Sequence, residues 1–361
     1  MEANMDNLEK AKSIIGNFRI DGELEKIKIN TQGHINSTFI STFTENGKVR
    51  KYTHQMINKS VFTHPDEVMS NIMLVTEHIQ NKVRRMDEAE SRCLSVVLSR
   101  DGKPYYIDSD GEYWRTYHFI DDVDTFDKMD SDKIAYELGR AIGNFQSQLS
   151  DFDSSKLYTT IKDFHNMNWR YEQLDEAVRN NKAGRLSLVS AELEFLYANK
   201  ERGCRIWNGF ADGSIPSRVT HNDTKLNNVL FSKKTGEGIC VIDLDTIMPG
   251  TILFDTGDMI RVSCSTVTED EKDLSKIDFS VSFYKSIFKG YLEKADYLED
   301  IEKSLIKESG RTITQIMAVR FLTDYLNGDV YYHIAYPEHN IVRARNQIQL
   351  MKKMDEHWDE Y

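Results

Sequence analysis

Two short apolar runs, Asn228-Val229-Leu230-Phe231 and Gly238-Ile239-Cys240-Val241-Ile242-Asp243, flank the turn Lys233-Lys234-Thr235-Gly236-Glu237. No other stretch restricts the fold of this chain so tightly. Apolar runs of this length around a glycine-containing turn make a β-hairpin. A hairpin returns the end of its second strand to the start of its first, so Asp243 comes back beside Asn228. Immediately upstream lies the polar stretch Thr220-His221-Asn222-Asp223-Thr224-Lys225-Leu226-Asn227. Asn and Asp cap nearby backbone groups and are common in turns, so that stretch alone is also readable as an ordinary turn.

Taken with the hairpin, the spacing suits phosphoryl transfer. That chemistry needs a carboxylate to orient and deprotonate the attacking hydroxyl, and Mg²⁺ to neutralise nucleotide phosphates. Asp223 is placed for the first task; Asn228, five residues on, and Asp243, twenty residues on, are placed to hold the metal. Two oxygen ligands with water for the rest suit Mg²⁺. A competing reading takes Asp243-Leu244-Asp245 as a D-x-D metal motif of a nucleotide-sugar transferase, since residues i and i+2 of a strand share a face. It leaves His221, Asn222, Asp223 and Asn228 unexplained and ranks below the kinase reading.

Composition excludes several classes. The 361 residues carry a net charge of −12 and no dense Lys/Arg tract, so neither nucleic acid nor an anionic membrane is an expected partner. The polar start Met1-Glu2-Ala3-Asn4-Met5-Asp6 has no apolar signal core, and no run approaches the about 18 apolar residues of a membrane span. Cys93, Cys204, Cys240 and Cys264 show no C-x-x-C spacing. A reducing cytoplasm is the expected location, without a zinc site.

The pattern changes character along the chain. Strand signals dominate up to residue 120: Ile27-Lys28-Ile29, Ser37 to Phe43, Val49 to Met56, Pro104 to Asp108 and Glu112 to Ile120. One helix is predicted from Pro65 to about Val83, with Asp66 and Glu67 in its first turn. Beyond Asp121 and Asp122, helical spacing takes over: 135–149, 168–181, 187–203, 276–295, 299–309 and 310–327. The expected fold is α+β and bilobal, protein-kinase-like, with a mainly antiparallel-sheet N-lobe (1–120) and a mainly helical C-lobe (121–361). Tyr117 to Asp121 would be the hinge that receives adenine.

Other residues are candidates by position. Gly33-His34-Ile35-Asn36 lies between the first two strands, where a phosphate-covering loop belongs, making Gly33 and Asn36 nucleotide contacts. The third strand reads Tyr52-Thr53-His54-Gln55-Met56, with Gln55 where a phosphate-binding Lys is usual, and with Lys51 on another face. Asp258 is a candidate helix cap that holds the catalytic loop. Arg320, set among apolar residues, needs a partner: Asp324 or a ligand oxygen. Tyr331, eleven residues on, shares its face if the helix runs through Gly328.

His221-Asn222-Asp223-Thr224-Lys225-Leu226-Asn227-Asn228 and Asp243-Leu244-Asp245-Thr246-Ile247-Met248-Pro249-Gly250 closely resemble the N-acetylhexosamine 1-kinases, within the aminoglycoside phosphotransferase and choline kinase group. The similarity extends to Gly33-His34-Ile35-Asn36, Trp114-Arg115, Arg320-Phe321-Leu322 and Tyr336-Pro337-Glu338-His339-Asn340, over most of residues 25–350. It implies ATP- and Mg²⁺-dependent phosphorylation of the anomeric hydroxyl of GlcNAc or GalNAc. It makes Asp223 the base, Asn228 and Asp243 metal ligands, and His34, Arg320 and Tyr331 sugar contacts. The alternatives are the same fold acting on an aminoglycoside or amino alcohol, a metal-dependent glycosyltransferase, and an inactive nucleotide-binding module.

Overall fold

The computed structural model describes residues 2–31 and 35–361, so Gly33 and His34 lie outside the described residues. The N-terminal region is built on five antiparallel strands, β1 (Glu23–Asn30), β2 (Ser37–Glu45), β3 (Lys48–Met56), β4 (Tyr106–Ile107) and β5 (Tyr113–His118), in the order β1-β2-β3-β5-β4. Alternation along β2 turns Phe39, Ser41 and Phe43 inward, where Phe39 and Phe43 pack with Tyr52 and Trp114. Helix α1 (Glu2–Ile15) closes this core with Ala11, Ile14 and Ile15. The sequence reading missed α1, although those spacings of three and four were its signature.

Helix α2 (Pro65–Val83) matches its predicted span, with Pro65 at the first turn and Asp66 and Glu67 following. Its buried face, Val68, Met69, Ile72, Val75 and Ile79, joins the core of the helical region rather than the small core formed by α1 and the sheet. Asn71 ties the two regions: its Nδ2 donates to the carbonyls of Tyr158 (2.8 Å) and Ile247 (2.9 Å). The bilobal α+β, protein-kinase-like class is therefore the observed one.

The helical region comprises α3 (Asp132–Gln148), α4 (Met167–Asn180), α5 (Ser190–Ala198), α6 (Lys200–Ala211), α7 (Ile252–Ser263), α8 (Val281–Leu292), α9 (Asp300–Asn327) and α10 (His339–Glu356). Short strands β6 (Val123–Asp124), β8 (Val229–Ser232) and β9 (Gly238–Val241) form one sheet, and β7 (Arg218–Thr220) pairs with β10 (Met248–Gly250). The predicted hairpin is β8–β9, with Val229 opposite Val241.

Several expectations need correction. The helix predicted over 187–203 is two helices that break at Asn199. The two helices predicted over 299–309 and 310–327 are the single α9. Gly310 does not interrupt it: a Cβ there would come within 2.5 Å of Ile260 Cγ2, so glycine permits the close approach of α7 to α9. Asp258 caps nothing; it sits inside α7, whose N-cap is Thr251. Asp243 and Asp245 do not share a strand face, because β9 stops at Val241, Asp243 has φ +60°, and Leu244–Thr246 is a 3₁₀ turn. Finally, α9 ends at Gly328 (φ +97°), so Tyr331 is not on the helix that carries Arg320.

Candidate active site

Strand β7 delivers the chain to His221, and the loop that follows hangs from one buried carboxylate. Asp255 on α7 accepts the backbone N–H of His221 (3.0 Å) on Oδ2 and that of Asn222 (2.7 Å) on Oδ1. Gln146 Nε2 on α3 adds a third bond at 2.8 Å, and the Asp255 carbonyl accepts the Thr224 hydroxyl. This is the role that the sequence reading gave to Asp258, which instead pairs with Arg261 at 2.9 Å. Asn222 adopts φ +67°, and its Nδ2 donates to the carbonyls of Thr220 (3.2 Å) and Thr246 (2.9 Å). Asn is among the few side chains that tolerate this backbone region.

His221 spans the loop and the hairpin. Its Nε2 lies 2.8 Å from the Ile242 carbonyl and its Nδ1 3.2 Å from the Asp223 N–H. The tautomer consistent with both bonds carries the proton on Nε2. Asp223 is half-buried, and its Oδ2 receives Lys225 Nζ (2.9 Å) and Asn228 Nδ2 (3.1 Å). Oδ1 has no hydrogen bond or ion pair among the described residues. Lys225 went unnoticed in the sequence, where a loop lysine carries no distinguishing signal.

Asn228 and Asp243 are brought together by the hairpin, as the Ile242 N–H donates to the Asn228 carbonyl at 2.9 Å. Asn228 Nδ2 also donates to the Asp223 carbonyl at 2.8 Å, which leaves its Oδ1 as a potential ligand oxygen. The Asp243 side chain reaches solvent while protein groups crowd around its carboxyl. Burial, then the carboxylates of Asp245 and Asp223, push its carboxyl up to about 6. One carboxylate and one amide oxygen, in a region of excess negative charge, fit a hard dication that keeps several waters. No group of three or more His, Cys, Asp or Glu ligands occurs among the described residues.

The nucleotide candidates on the sheet side are joined to each other. Asn36 Nδ2 donates to Asp245 Oδ2 at 2.6 Å, while Asn36 Oδ1 accepts the Asn58 N–H at 3.0 Å. Gln55 donates to Thr38 Oγ1 (3.1 Å) and accepts from Arg115 Nε (2.9 Å). Lys51 pairs with Asp121 at the chain crossing between the two regions. Arg115 and Asp245 form a buried ion pair.

Arg320 and Tyr331 meet in space by a route other than the one expected. Asp324, on α9, accepts the N–H groups of Val330, Tyr331 and Tyr332, each at 2.9 Å, and folds that segment back. Asp324 is therefore not the partner of Arg320. The Arg320 guanidinium lies 5.7 Å from the Phe164 ring, 5.8 Å from that of Tyr331 and 5.5 Å from that of Tyr332. Neither Arg320 nor the adjoining Arg170 forms an ion pair among the described residues. Burial, then Arg320, lowers Arg170 to about 10. His165 is buried and makes no well-aligned hydrogen bond among the described residues, with the Asn222 backbone beside it; burial, then Arg320, Arg170 and Arg261, drive its proton affinity well down, against a smaller opposing effect of that backbone. The buried Tyr332 hydroxyl likewise has no hydrogen-bond partner among the described residues. Of the nearby acids, Glu269 and Asp258 pair with Arg261, Asp258 through Oδ1 with its Oδ2 buried and without a hydrogen bond among the described residues, and Asp163 acts on Arg170.

A model of the phosphotransferase enzyme family matches residues 85–297, more than half of the chain. Among solved structures, the microcompartment-associated aminopropanol kinase is similar at a TM-score of 0.65, with 13% identity over 98% of either chain. Spectinomycin phosphotransferase in complex with ADP and spectinomycin is similar at 0.60, with 12% identity over 97% of this chain and 98% of that one. Choline kinase from Streptococcus pneumoniae is similar at 0.53, with 12% identity over 99% and 100%. At such identities the likeness establishes a common fold.

Proposed function

The chain belongs to the phosphotransferase enzyme family, and from that premise we propose that it transfers the γ-phosphoryl group of ATP to the anomeric hydroxyl of GlcNAc or GalNAc. The coarser statement, a kinase-like phosphotransferase acting on the hydroxyl of a small molecule, follows from the family. In the proposed reaction the sugar O1 attacks phosphorus, the bond from phosphorus to the ADP oxygen breaks, and the O1 proton passes to Asp223. Oδ1 is the oxygen for that task, since Lys225 and Asn228 already hold Oδ2. Because the C1–O1 bond stays intact, the bound anomer sets the configuration of the product. Asn228 and Asp243 would hold Mg²⁺, whose charge would offset that of the nucleotide phosphates. Adenine would meet backbone groups of Tyr117 to Asp121, the proposed junction between lobes 1–120 and 121–361.

The observation that carries the choice of acceptor is the charge around Arg320. Two arginines without ion pairs among the described residues, beside a buried neutral His165, favour an acceptor that offers oxygens, such as sugar hydroxyls and an amide carbonyl. They disfavour ammonium groups, which aminoglycosides and amino alcohols carry. The sequence resemblance to hexosamine 1-kinases points the same way. None of the described helices is long and apolar enough to cross a membrane. A cytoplasmic location is part of the proposal, and four free, buried cysteines suit it.

The deciding experiment is ³¹P NMR of the protein with ATP, Mg²⁺ and either GlcNAc or GalNAc. A new phosphate signal coupled to the anomeric proton is expected; intact ATP with both sugars would reject the hexosamine assignment. Arg320→Ala should raise the sugar KM by about tenfold to a hundredfold, the equivalent of about 1.5–3 kcal/mol for a charged hydrogen bond. An equal rise in the ATP KM would count against sugar contact.

Metal binding should depend on pH with a defined sign. A carboxyl raised to about 6 favours the folded state when protonated, and that contribution is lost as pH rises through 6. Mg²⁺ must displace the proton below that point, so its effect on the melting temperature should be larger at about pH 7.5 than at about pH 5. Equal melting shifts at both values would argue against Asp243 as a ligand.

A further inference from the structure

The third-strand position where kinases carry a lysine paired with an acid is Gln55 here, and the charge has moved one strand over. Gln55 on β3 is the register partner of Arg115 on β5. Its Oε1 accepts Arg115 Nε at 2.9 Å, while its Nε2 is held by Thr38. Arg115 is 1% exposed, and its Nη1 donates to Asp245 Oδ1. The other oxygen of Asp245 takes Asn36 Nδ2 at 2.6 Å, and Asn36 in turn accepts the Asn58 N–H. Three residues of the sheet region thus converge, directly or through one another, on a single carboxylate. That carboxylate stands in the 3₁₀ turn that begins immediately after Asp243.

A buried arginine–carboxylate pair seldom adds net stability, because desolvation of both charges offsets their attraction. What it supplies is geometry, and the planar guanidinium fork supplies more of it than a lysine ammonium. The geometry here is needed two residues away, where Asp243 holds a left-handed backbone conformation (φ +60°) that most side chains avoid. We infer that Arg115 is a positioning residue for phosphoryl transfer: oriented by Gln55, it fixes the Asp243 turn through Asp245 and so presents the Asp243 carboxylate to the divalent cation. Gln55 then acts as the support of Arg115 rather than as a phosphate ligand. Asn36 ties the end of the proposed phosphate loop to the same turn. The assignment rests on the phosphotransferase reading but not on the identity of the acceptor.

The test is calorimetric titration of ADP into the full chain, with Mg²⁺ and with EDTA, beside a melting curve for each variant. Arg115→Met is expected to bind ADP normally in EDTA and to lose about tenfold to a hundredfold of the affinity gained from Mg²⁺. Arg115→Lys keeps the charge without the fork and should recover part of that gain. Gln55→Ala should lose less than Arg115→Met, in the same direction. A folded Arg115→Met protein with the full Mg²⁺-dependent gain would overturn the assignment. So would an equal loss with and without Mg²⁺, which is what a merely structural role predicts. If Arg115→Met does not fold, Arg115→Lys and Gln55→Ala decide by the same readout. Should no hexosamine be phosphorylated while these variants lose the Mg²⁺ gain, the inference stands and only the acceptor is wrong.

Discussion

Replacing Asp223 with asparagine is expected to lower kcat by about 10²–10⁴-fold, the usual range for a positioned general base. Nucleotide affinity should stay close to that of the native chain. The amide keeps the size of the carboxylate but does not accept a proton near neutral pH. The rest of the loop is anchored elsewhere: His221 and Asn222 hang from Asp255 through their backbone N–H groups. Asn228 also keeps its bond to the Asp223 carbonyl, which the substitution leaves in place. The loss should therefore fall on turnover and not on folding. Steady-state kinetics of ADP release, with ADP affinity measured in parallel, gives both numbers. Turnover near that of the native enzyme would remove Asp223 from the role of base.

Asp255 should show the opposite balance, a large loss of stability that carries activity with it. The residue is fully buried and accepts from His221 N–H, Asn222 N–H and Gln146 Nε2. Burial raises its carboxyl toward the neutral form, with His221 and the two N–H groups opposing that shift. Asp255→Ala leaves three buried donors, two backbone N–H groups and the Gln146 amide, without their acceptor and should cost about 3 kcal/mol or more, at about 1–3 kcal/mol per unsatisfied group. Denaturant unfolding measures that cost. Asp255→Asn retains one acceptor oxygen and should be intermediate. If Asp255→Ala unfolds at the native midpoint, the loop is held by something other than this carboxylate.

The contrast between these two residues shows how far the sequence could be read. Asp223 stands in a motif whose spacing is local, and its neighbours in the chain are its neighbours in space. The β8–β9 hairpin is equally local: alternation and a glycine turn brought Asn228 and Asp243 together before any tertiary contact was known. Helix α2 was legible from Pro65 and two acids in its first turn. Helix α7 was missed because it is buried on nearly every side and has no polar stripe to reveal its period. For the same reason Asp258, rather than Asp255, looked like the residue near a helix start.

Local pattern, then, determined the fold class, the course of the proposed catalytic loop and the β8–β9 hairpin, because strand alternation, turn chemistry and helical spacing act over a few residues. Tertiary structure alone decided which buried charges meet. Asp255 reaches residues 33 and 34 positions away, and Arg115 reaches Asp245 across 130. Asp324 binds the backbone after its own helix instead of the nearby Arg320. A buried polar group takes whichever partner packing brings within about 3 Å, and no periodicity along the chain records that choice.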